Sequence, residues 1–467
     1  MSSHIFSRDP VKVPFVKTQH RSIQTGVPAP GTKAVLEELD NVESRSMHGQ
    51  IPIIWDAAQD FNIFDIAGNK FIDFTSAIFF ANVGHSNARV KHAIQNMLDK
   101  PILGCYAYGN DIRAKYHTKL IEFCGPNFDK AFLLSAGTET TEAALKLMRM
   151  SGQSKKKERL GIIAFENNYH GRTLGAQMLS GNIGAKEWIG YADKNIHHLP
   201  FPYPSDLNCG GLTNLKDDES GEAFFVRTMD ELLKTGINPK KDLCGMILET
   251  FQGWGAIFYP IDFVQAAKNF CVENDMVLTF DEMQAGFART GKAFGYEHYD
   301  VVPNLICTGK GMGNGFPLSG VIGKGEIMDI PAIGNMSSTH SANPMACAVG
   351  LAVLEEIESG NLIHESSRKG DILKLKLIEL KNISNGRISH TYGVGGLLAA
   401  IHFQDPSTGM VDDLIASKIA EKCYEKGLLV VHTGRESIKL GPPLTISDEA
   451  LIEGMDVMIE SFLEVTG

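Results

Sequence analysis

The 467-residue sequence predicts an α/β protein, an open and mostly parallel sheet covered by helices on both faces. Two observations carry this reading. Short apolar runs rich in β-formers alternate with segments of helical period, the pattern of a sheet whose strands are buried on both sides. Each run also ends in an unusual polar group, and in such sheets ligands bind beyond the carboxyl ends of the strands.

The runs are "AFLLSAG" from 131, "LGIIAFE" from 160, "GMILETF" from 245, "MVLTFDE" from 276, "NLICTG" from 304 and "SGVIG" from 319. Helix-period segments begin at "TETTEAALKLMRM" (138) and "IDFVQAAKNFCVEN" (261), and the core spans roughly 60 to 330. "TGVPAPG" (25–31) is a loop-rich entry. "NPMACAVGLAVLEEIESG" (343–360) opens a helix leading into a second α+β region. His197 and His198, before "LPFPYP", read as loop residues rather than metal ligands.

Composition narrows the function. Hydrophobic residues at 43% and charged residues at 21% are an ordinary globular balance. A net charge of −11 argues against nucleic acid or an anionic membrane surface as partner. No run of 18 apolar residues occurs, no secretory pattern opens the chain, and the histidines show no metal-ligand spacing. Eight cysteines without a CxxC read as reduced thiols and a cytoplasmic setting.

The polar run ends define a site. Ser135-Ala136-Gly137-Thr138 joins a strand to a helix N-terminus, where free amides and the helix dipole favour a phosphate; Thr138 could equally be an N-cap. "IIAF" runs into Glu166-Asn167-Asn168-Tyr169-His170-Gly171, "MIL" ends in Glu249, and "VLTF" ends in Asp281-Glu282-Met283-Gln284. "LIC" ends in Thr308-Gly309-Lys310. Asp281, after an apolar run, is partly buried and needs a partner, either a cationic ring nitrogen or a structural ion pair. A lysine, an aspartate, an aromatic and a phosphate seat at one sheet edge are the parts of a pyridoxal phosphate site. "GKGMGNG" is neither a nucleotide P-loop nor a dinucleotide fingerprint.

Several long segments in register resemble the class III aminotransferases: "FENNYHGRTLGAQMLSG", "ILETFQGWGA", "LTFDEMQAGFARTGKAFGYEHY", "PNLICTGKGMGNGFPLSGVIG" and "STHSANPMACA". "FIDFTSAIFFANVGHSN" and "IKLGPPLTIS" extend the match over nearly all of the chain after residue 50. The resemblance implies the type I pyridoxal phosphate-dependent transferase fold. It places an N-terminal segment, 1–60, with the small domain, a large cofactor-binding domain at 61–330, and a C-terminal small domain at 331–467. It also implies a homodimer with sites at the subunit interface.

By that resemblance Lys310 is the Schiff-base lysine and proton carrier, Asp281 keeps the ring nitrogen protonated, and Gly137 and Thr138 hold the phosphate. Tyr169 stacks on one ring face and Met283 packs on the other, with Gln284 near the ring hydroxyl. Glu249 supports the site, His170 is structural or cofactor-binding, and Thr339 reaches the phosphate of the other subunit. Arg172 and Arg289 belong to the motifs without a settled role. The sequence departs from the family pattern at Trp254 and Lys439, where an acidic residue and an arginine commonly pair to manage the substrate carboxylate. It departs also at Thr250 (commonly proline), Ala136 (commonly serine), Asn304 (commonly aspartate) and after the glycine-histidine of "GHSNAR". The function implied is a ping-pong transaminase moving an amino group from a primary, omega-type amine to a 2-oxo acid. Lys439, helped by Arg435, would hold the keto acid, and Trp254 would favour a donor that is bulky or uncharged nearby. The alternative is a racemase, epimerase or decarboxylase sharing the same cofactor machinery. A non-catalytic scaffold on this fold is disfavoured by the intact Lys310, Asp281 and Tyr169.

Overall fold

In a computed structural model, residues 4–100, 102–207 and 214–467 are described. The chain divides into two compact units, Met1–Asn87 with His364–Gly467, and Ala88–Ile363. Each is described by itself.

The Ala88–Ile363 unit is built on seven strands: β1 (Lys130–Leu134), β2 (Gly161–Phe165), β3 (Ile196–Leu199), β4 (Leu243–Glu249), β5 (Val277–Asp281), β6 (Leu305–Thr308) and β7 (Ser319–Gly323). Their order is β1-β7-β6-β5-β4-β2-β3. Only β7 runs against the rest, pairing antiparallel with β1 and β6. Every residue of β2, β4, β5, β6 and β7 is buried. That explains the near-continuous apolar sequence of these strands, with no alternating polar face.

His197 and His198 lie in the edge strand β3, opposite Ile163 and Ala164, and not in a loop. Their polarity hid the strand. Pairing to β2 recruits them, and Lys186 Nζ lies 3.0 Å from His198 Nε2.

The helix from Gly137 to Ser154 turns Ala143, Ala144, Leu147, Met148 and Ser151 inward. Leu134, Ile162, Ala164, Ile247, Val277, Leu305 and Val321 of the sheet join the first four of these in one core cluster. Burying each large aliphatic side chain contributes about 1.5–3 kcal/mol. Helix and sheet approach closely because Gly152 and Gly245 lack side chains. A Cβ on Gly152 would lie 2.4 Å from Cβ of Cys244, and one on Gly245 2.4 Å from Sδ of Met148.

The other unit holds a six-stranded sheet that includes Trp55–Gln59, Asn62–Asp65 and Lys70–Asp73, and a four-stranded antiparallel sheet. The latter joins Ile388–Tyr392, Ala399–Phe403, Ser437–Leu440 and Val431–His432. Helices Asp413–Glu425 and Asp448–Thr466 also belong to this unit. Among the described residues no helix is long and apolar enough to cross a membrane.

Candidate active site

The parallel strands deliver their polar ends to one edge. Glu249 closes β4, Asp281 closes β5, and these two are register partners. Asp281 is in turn opposite Cys307 on β6, and Lys310 follows three residues later. Three neighbouring strands thus bring together residues up to 61 positions apart in sequence.

Lys310 starts a tight turn. Met312 N–H donates to Gly309 O at 2.9 Å and Gly313 N–H to Lys310 O at 3.1 Å. Its φ is +43°, a left-handed conformation costing a lysine about 1–2 kcal/mol. Burial pushes the Lys310 ammonium below the ordinary lysine pKa, with Asp281 and Glu249 pulling it back up. A lysine so placed is poised to give up its proton and act as a nucleophile.

Asp281 is 5% exposed. Its Oδ1 accepts the Met283 N–H at 3.1 Å, and its Oδ2 lies 2.9 Å from His170 Nδ1. The partner supplied by this chain is therefore His170. The imidazole is fixed from the backbone as well: His170 N–H donates to Ser180 Oγ at 2.8 Å, and Thr141 Oγ1 donates to His170 O at 2.6 Å. His170 Nε2 is buried without a hydrogen-bond partner among the described residues. A carboxylate offers about four acceptor directions, so Asp281 retains capacity for a further donor.

Glu249 organises the neighbouring turns. Its Oε1 accepts Tyr169 N–H at 2.7 Å, and its Oε2 accepts Gly253 N–H at 3.1 Å and lies 3.5 Å from Gln284 Nε2. Tyr169, held this way, keeps 43% of its surface exposed. The Arg172 guanidinium lies 5.6 Å from the centroid of its ring. Arg172 is exposed and makes no ion pair among the described residues. The sequence left its role open, although its place three residues after the site aromatic was a usable signal.

The helix at Gly137 has Ala136, not Thr138, as its N-cap. Glu139 reaches back to accept Ser135 and Ala136 N–H at 2.9 and 3.0 Å. Gly137 and Thr138 therefore head the helix with amides that lack an intrahelical acceptor. The Thr138 hydroxyl turns aside, 2.7 Å from Thr173 Oγ1, and accepts Thr173 N–H at 3.2 Å. Met283 bridges this seat to the lysine turn. A Cβ on Gly137 would lie 2.9 Å from its Sδ, and one on Gly309 2.7 Å from it.

The remaining candidates are more scattered. Trp254 is half-buried and Thr339 exposed, both in the sheet unit. Thr339 lines an open depression with Tyr106, Tyr108, His340 and Asn343. Lys439 belongs to the other unit, opposite Ala400 and Val431 in its four-stranded sheet, with Nζ 5.5 Å from the Phe79 ring centroid. Arg289 is fully buried.

The model of the class-III aminotransferase family matches residues 44–462. The chain is a class-III aminotransferase. Its relatives agree. The probable 4-aminobutyrate aminotransferase of Bacillus subtilis is 33% identical over 405 residues, 85% of this chain and 89% of that protein. The mitochondrial acetylornithine aminotransferase of Candida glabrata is 31% identical over 415 residues, 86% and 88% of the two chains. Among solved structures, an ornithine aminotransferase of Toxoplasma gondii, with pyridoxal phosphate at partial occupancy in its active site, superposes with a TM-score of 0.78. It is 25% identical and covers 92% of this chain and 94% of its own. The fold is type I, as the sequence predicts. The aminotransferase is an enzyme whose cofactor is pyridoxal 5′-phosphate.

The residues present fit that group. A carboxylate with spare acceptor capacity suits a protonated ring nitrogen, and two helix amides without an intrahelical acceptor suit a phosphate. The Lys310 amine, its pKa lowered by burial, suits an aldehyde, and the exposed Tyr169 ring suits a planar heterocycle.

Proposed function

We propose that Lys310 carries the cofactor and that the enzyme moves an amino group from a primary, omega-type amine to a 2-oxo acid in two half-reactions. The observation carrying this is the pairing of Asp281, at the end of β5, with Cys307 of β6, three residues before Lys310. Bound pyridoxal phosphate supplies an electron sink for the bonds at the carbon bearing the amine. The chain's own groups do the rest. Lys310 Nζ would take the proton from that carbon and deliver it to the cofactor's C4′ in the same half-reaction, and would run the transfer in reverse for the 2-oxo acid. Asp281, held by His170, would keep the ring nitrogen protonated. Gly137 and Thr138 would bind the phosphate. Tyr169, fixed by Glu249, and Met283 would hold the ring, with Gln284 toward its hydroxyl.

Arg172 is the cation this reading assigns to a carboxylate at the far end of the donor, since it is exposed beside Tyr169 without an ion-pair partner among the described residues. The 4-aminobutyrate and acetylornithine of the relatives' names both carry an amine remote from a carboxylate. Lys439 and Trp254 are proposed for the substrates, Lys439 toward the 2-oxo acid and Trp254 as an apolar wall. Lys439→Ala then raises KM for the 2-oxo acid more than for the amine; equal changes remove Lys439 from the scheme.

We further propose a homodimer in which Thr339 reaches the phosphate of the second copy, to be tested by light scattering of the holoenzyme. The seven described cysteines are all free thiols, which supports a reducing, cytoplasmic setting.

Borohydride reduction followed by peptide mapping tests the central assignment. The adduct is expected on Lys310, and an adduct on another lysine overturns it. An amine-donor screen, read by conversion of the bound cofactor to its amine form, then identifies the donor class.

A further inference from the structure

We propose that Thr250 is a positioning residue for Asp281, acting through hydrogen bonds that join the ends of β4 and β5. The inference rests on the reading of Asp281 as the partner of the cofactor's ring nitrogen.

The geometry is local and fully buried. Thr250 is 0% exposed and Glu282 1%. The ladder between β4 and β5 continues one step past the strand, because Thr250 N–H donates to Asp281 O at 3.2 Å. The Thr250 hydroxyl donates to Glu282 Oε1 at 2.5 Å. The Thr250 carbonyl accepts the Tyr299 hydroxyl at 2.8 Å. Two of the residue's three polar groups thus hold Asp281 and Glu282, and the third accepts from Tyr299.

Glu282 extends the hold. Its Oε2 accepts Gly295 N–H at 2.9 Å and its Oε1 accepts Tyr296 N–H at 2.7 Å. Its own N–H donates to Cys307 O at 2.9 Å, on the strand that leads to Lys310. The contact leaves no slack: a Cβ on Gly295 would lie 2.6 Å from Cγ2 of Thr250. The backbone of Asp281 and Glu282 is therefore gripped from β4 on one side and β6 on the other. A carboxylate that must meet a ring nitrogen within a few tenths of an ångström needs such a backbone.

Residue type matters at 250. A proline, the common residue at this point of the motif, has neither the N–H nor the hydroxyl. This chain holds Asp281 with bonds that a proline could not form. Burial pushes the Glu282 carboxyl up to about 7, against the three donors that favour its charge.

The test uses the holoenzyme and two readouts besides turnover: the dissociation constant of the cofactor, and the pH midpoint of its visible absorption. Thr250→Val keeps the shape and the N–H but loses the hydroxyl. It is expected to weaken cofactor binding about tenfold, the equivalent of about 1.4 kcal/mol, and to move the absorption midpoint. Thr250→Ser, which restores the hydroxyl, is expected to return both to within about twofold of the parent. Should Thr250→Val not fold, Glu282→Gln gives the same two shifts by weakening the same bond. A variant that melts earlier but keeps both cofactor readouts overturns the proposal, as does failure of Thr250→Ser to restore them. Borohydride mapping of the parent separates this from the underlying reading. An adduct away from Lys310 overturns both, whereas an adduct on Lys310 with unchanged Thr250→Val readouts overturns only the role of Thr250.

Discussion

His170 Nδ1 and Asp281 Oδ2 lie 2.9 Å apart, 111 residues distant in sequence, with both side chains closed to solvent. A buried carboxylate is costly unless paired, and this pair leaves Asp281 directions in which to accept another proton donor. The Asp281 carboxylate is thereby oriented before any ligand arrives, and preorganisation of this kind is where electrostatic catalysis gains most.

Asp281→Asn keeps the shape of the pair and removes its charge. One pKa unit at the ring nitrogen corresponds to about 1.4 kcal/mol. A shift of several units is expected to slow the proton-transfer half-reaction by roughly 100-fold or more in single-turnover measurements. His170→Asn keeps a donor near Asp281 but loses the ring, and a loss of about tenfold is expected, the size of one hydrogen bond to a charged group. Normal single-turnover rates in Asp281→Asn would exclude the assigned role.

Lys310→Ala removes the nucleophile and leaves the helix amides at Gly137 and Thr138. The variant is expected to bind pyridoxal phosphate reversibly, to release it on dialysis, and to show no turnover. Residual turnover unaffected by added amines would count against Lys310 as proton carrier.

Tyr169 contributes its ring. Stacking is worth about 0.5–1.5 kcal/mol beyond area burial, so Tyr169→Ala is expected to weaken cofactor binding by roughly three- to tenfold and Tyr169→Phe little. Equal losses in the two variants would transfer the role to the hydroxyl.

Arg172→Ala is expected to raise KM about 10- to 100-fold for donors with a remote carboxylate, with kcat nearly unchanged, because a charged hydrogen bond is worth about 1.5–3 kcal/mol. Donors lacking a carboxylate should be indifferent to it. A uniform change across both donor classes would assign Arg172 to the support of Tyr169 instead.

Glu282 predicts a pH dependence of stability. Its folded pKa is raised by burial from the ordinary 4.5 to about 7, so the folded state holds the proton more tightly than the unfolded chain. Its contribution is fully present below about pH 4.5 and is lost as pH rises toward 7. Denaturant melts of the parent against Glu282→Gln across pH 4.5–7.5 should therefore diverge, the parent losing stability relative to the variant as pH rises. A pH-independent difference would show that Glu282 does not titrate in this window.

The sequence by itself determined the architecture of the sheet unit and which polar residues close its strands. Both are written locally. Apolar runs without alternation specify strands buried on two faces, and parallel strands must place their carboxyl ends on one edge, so Glu249, Asp281 and the Lys310 turn were legible from the order of residues alone. What only the tertiary structure decided are the partners. Nothing near Asp281 in the chain reveals that His170 is its neighbour, that Thr250 and Glu282 grip its backbone, or that Arg172 covers the ring of Tyr169. Thr138 could be read as a phosphate ligand or as a helix cap until the helix proved to start at Gly137 with Ala136 as its N-cap. His197 and His198 looked like a loop until β2 supplied their hydrogen bonds. The physical reason is the range of the signal. Periodicity and turn chemistry are properties of a few adjacent residues, whereas the choice of partner for a buried polar group depends on which distant atoms the packed strands bring within about 3 Å.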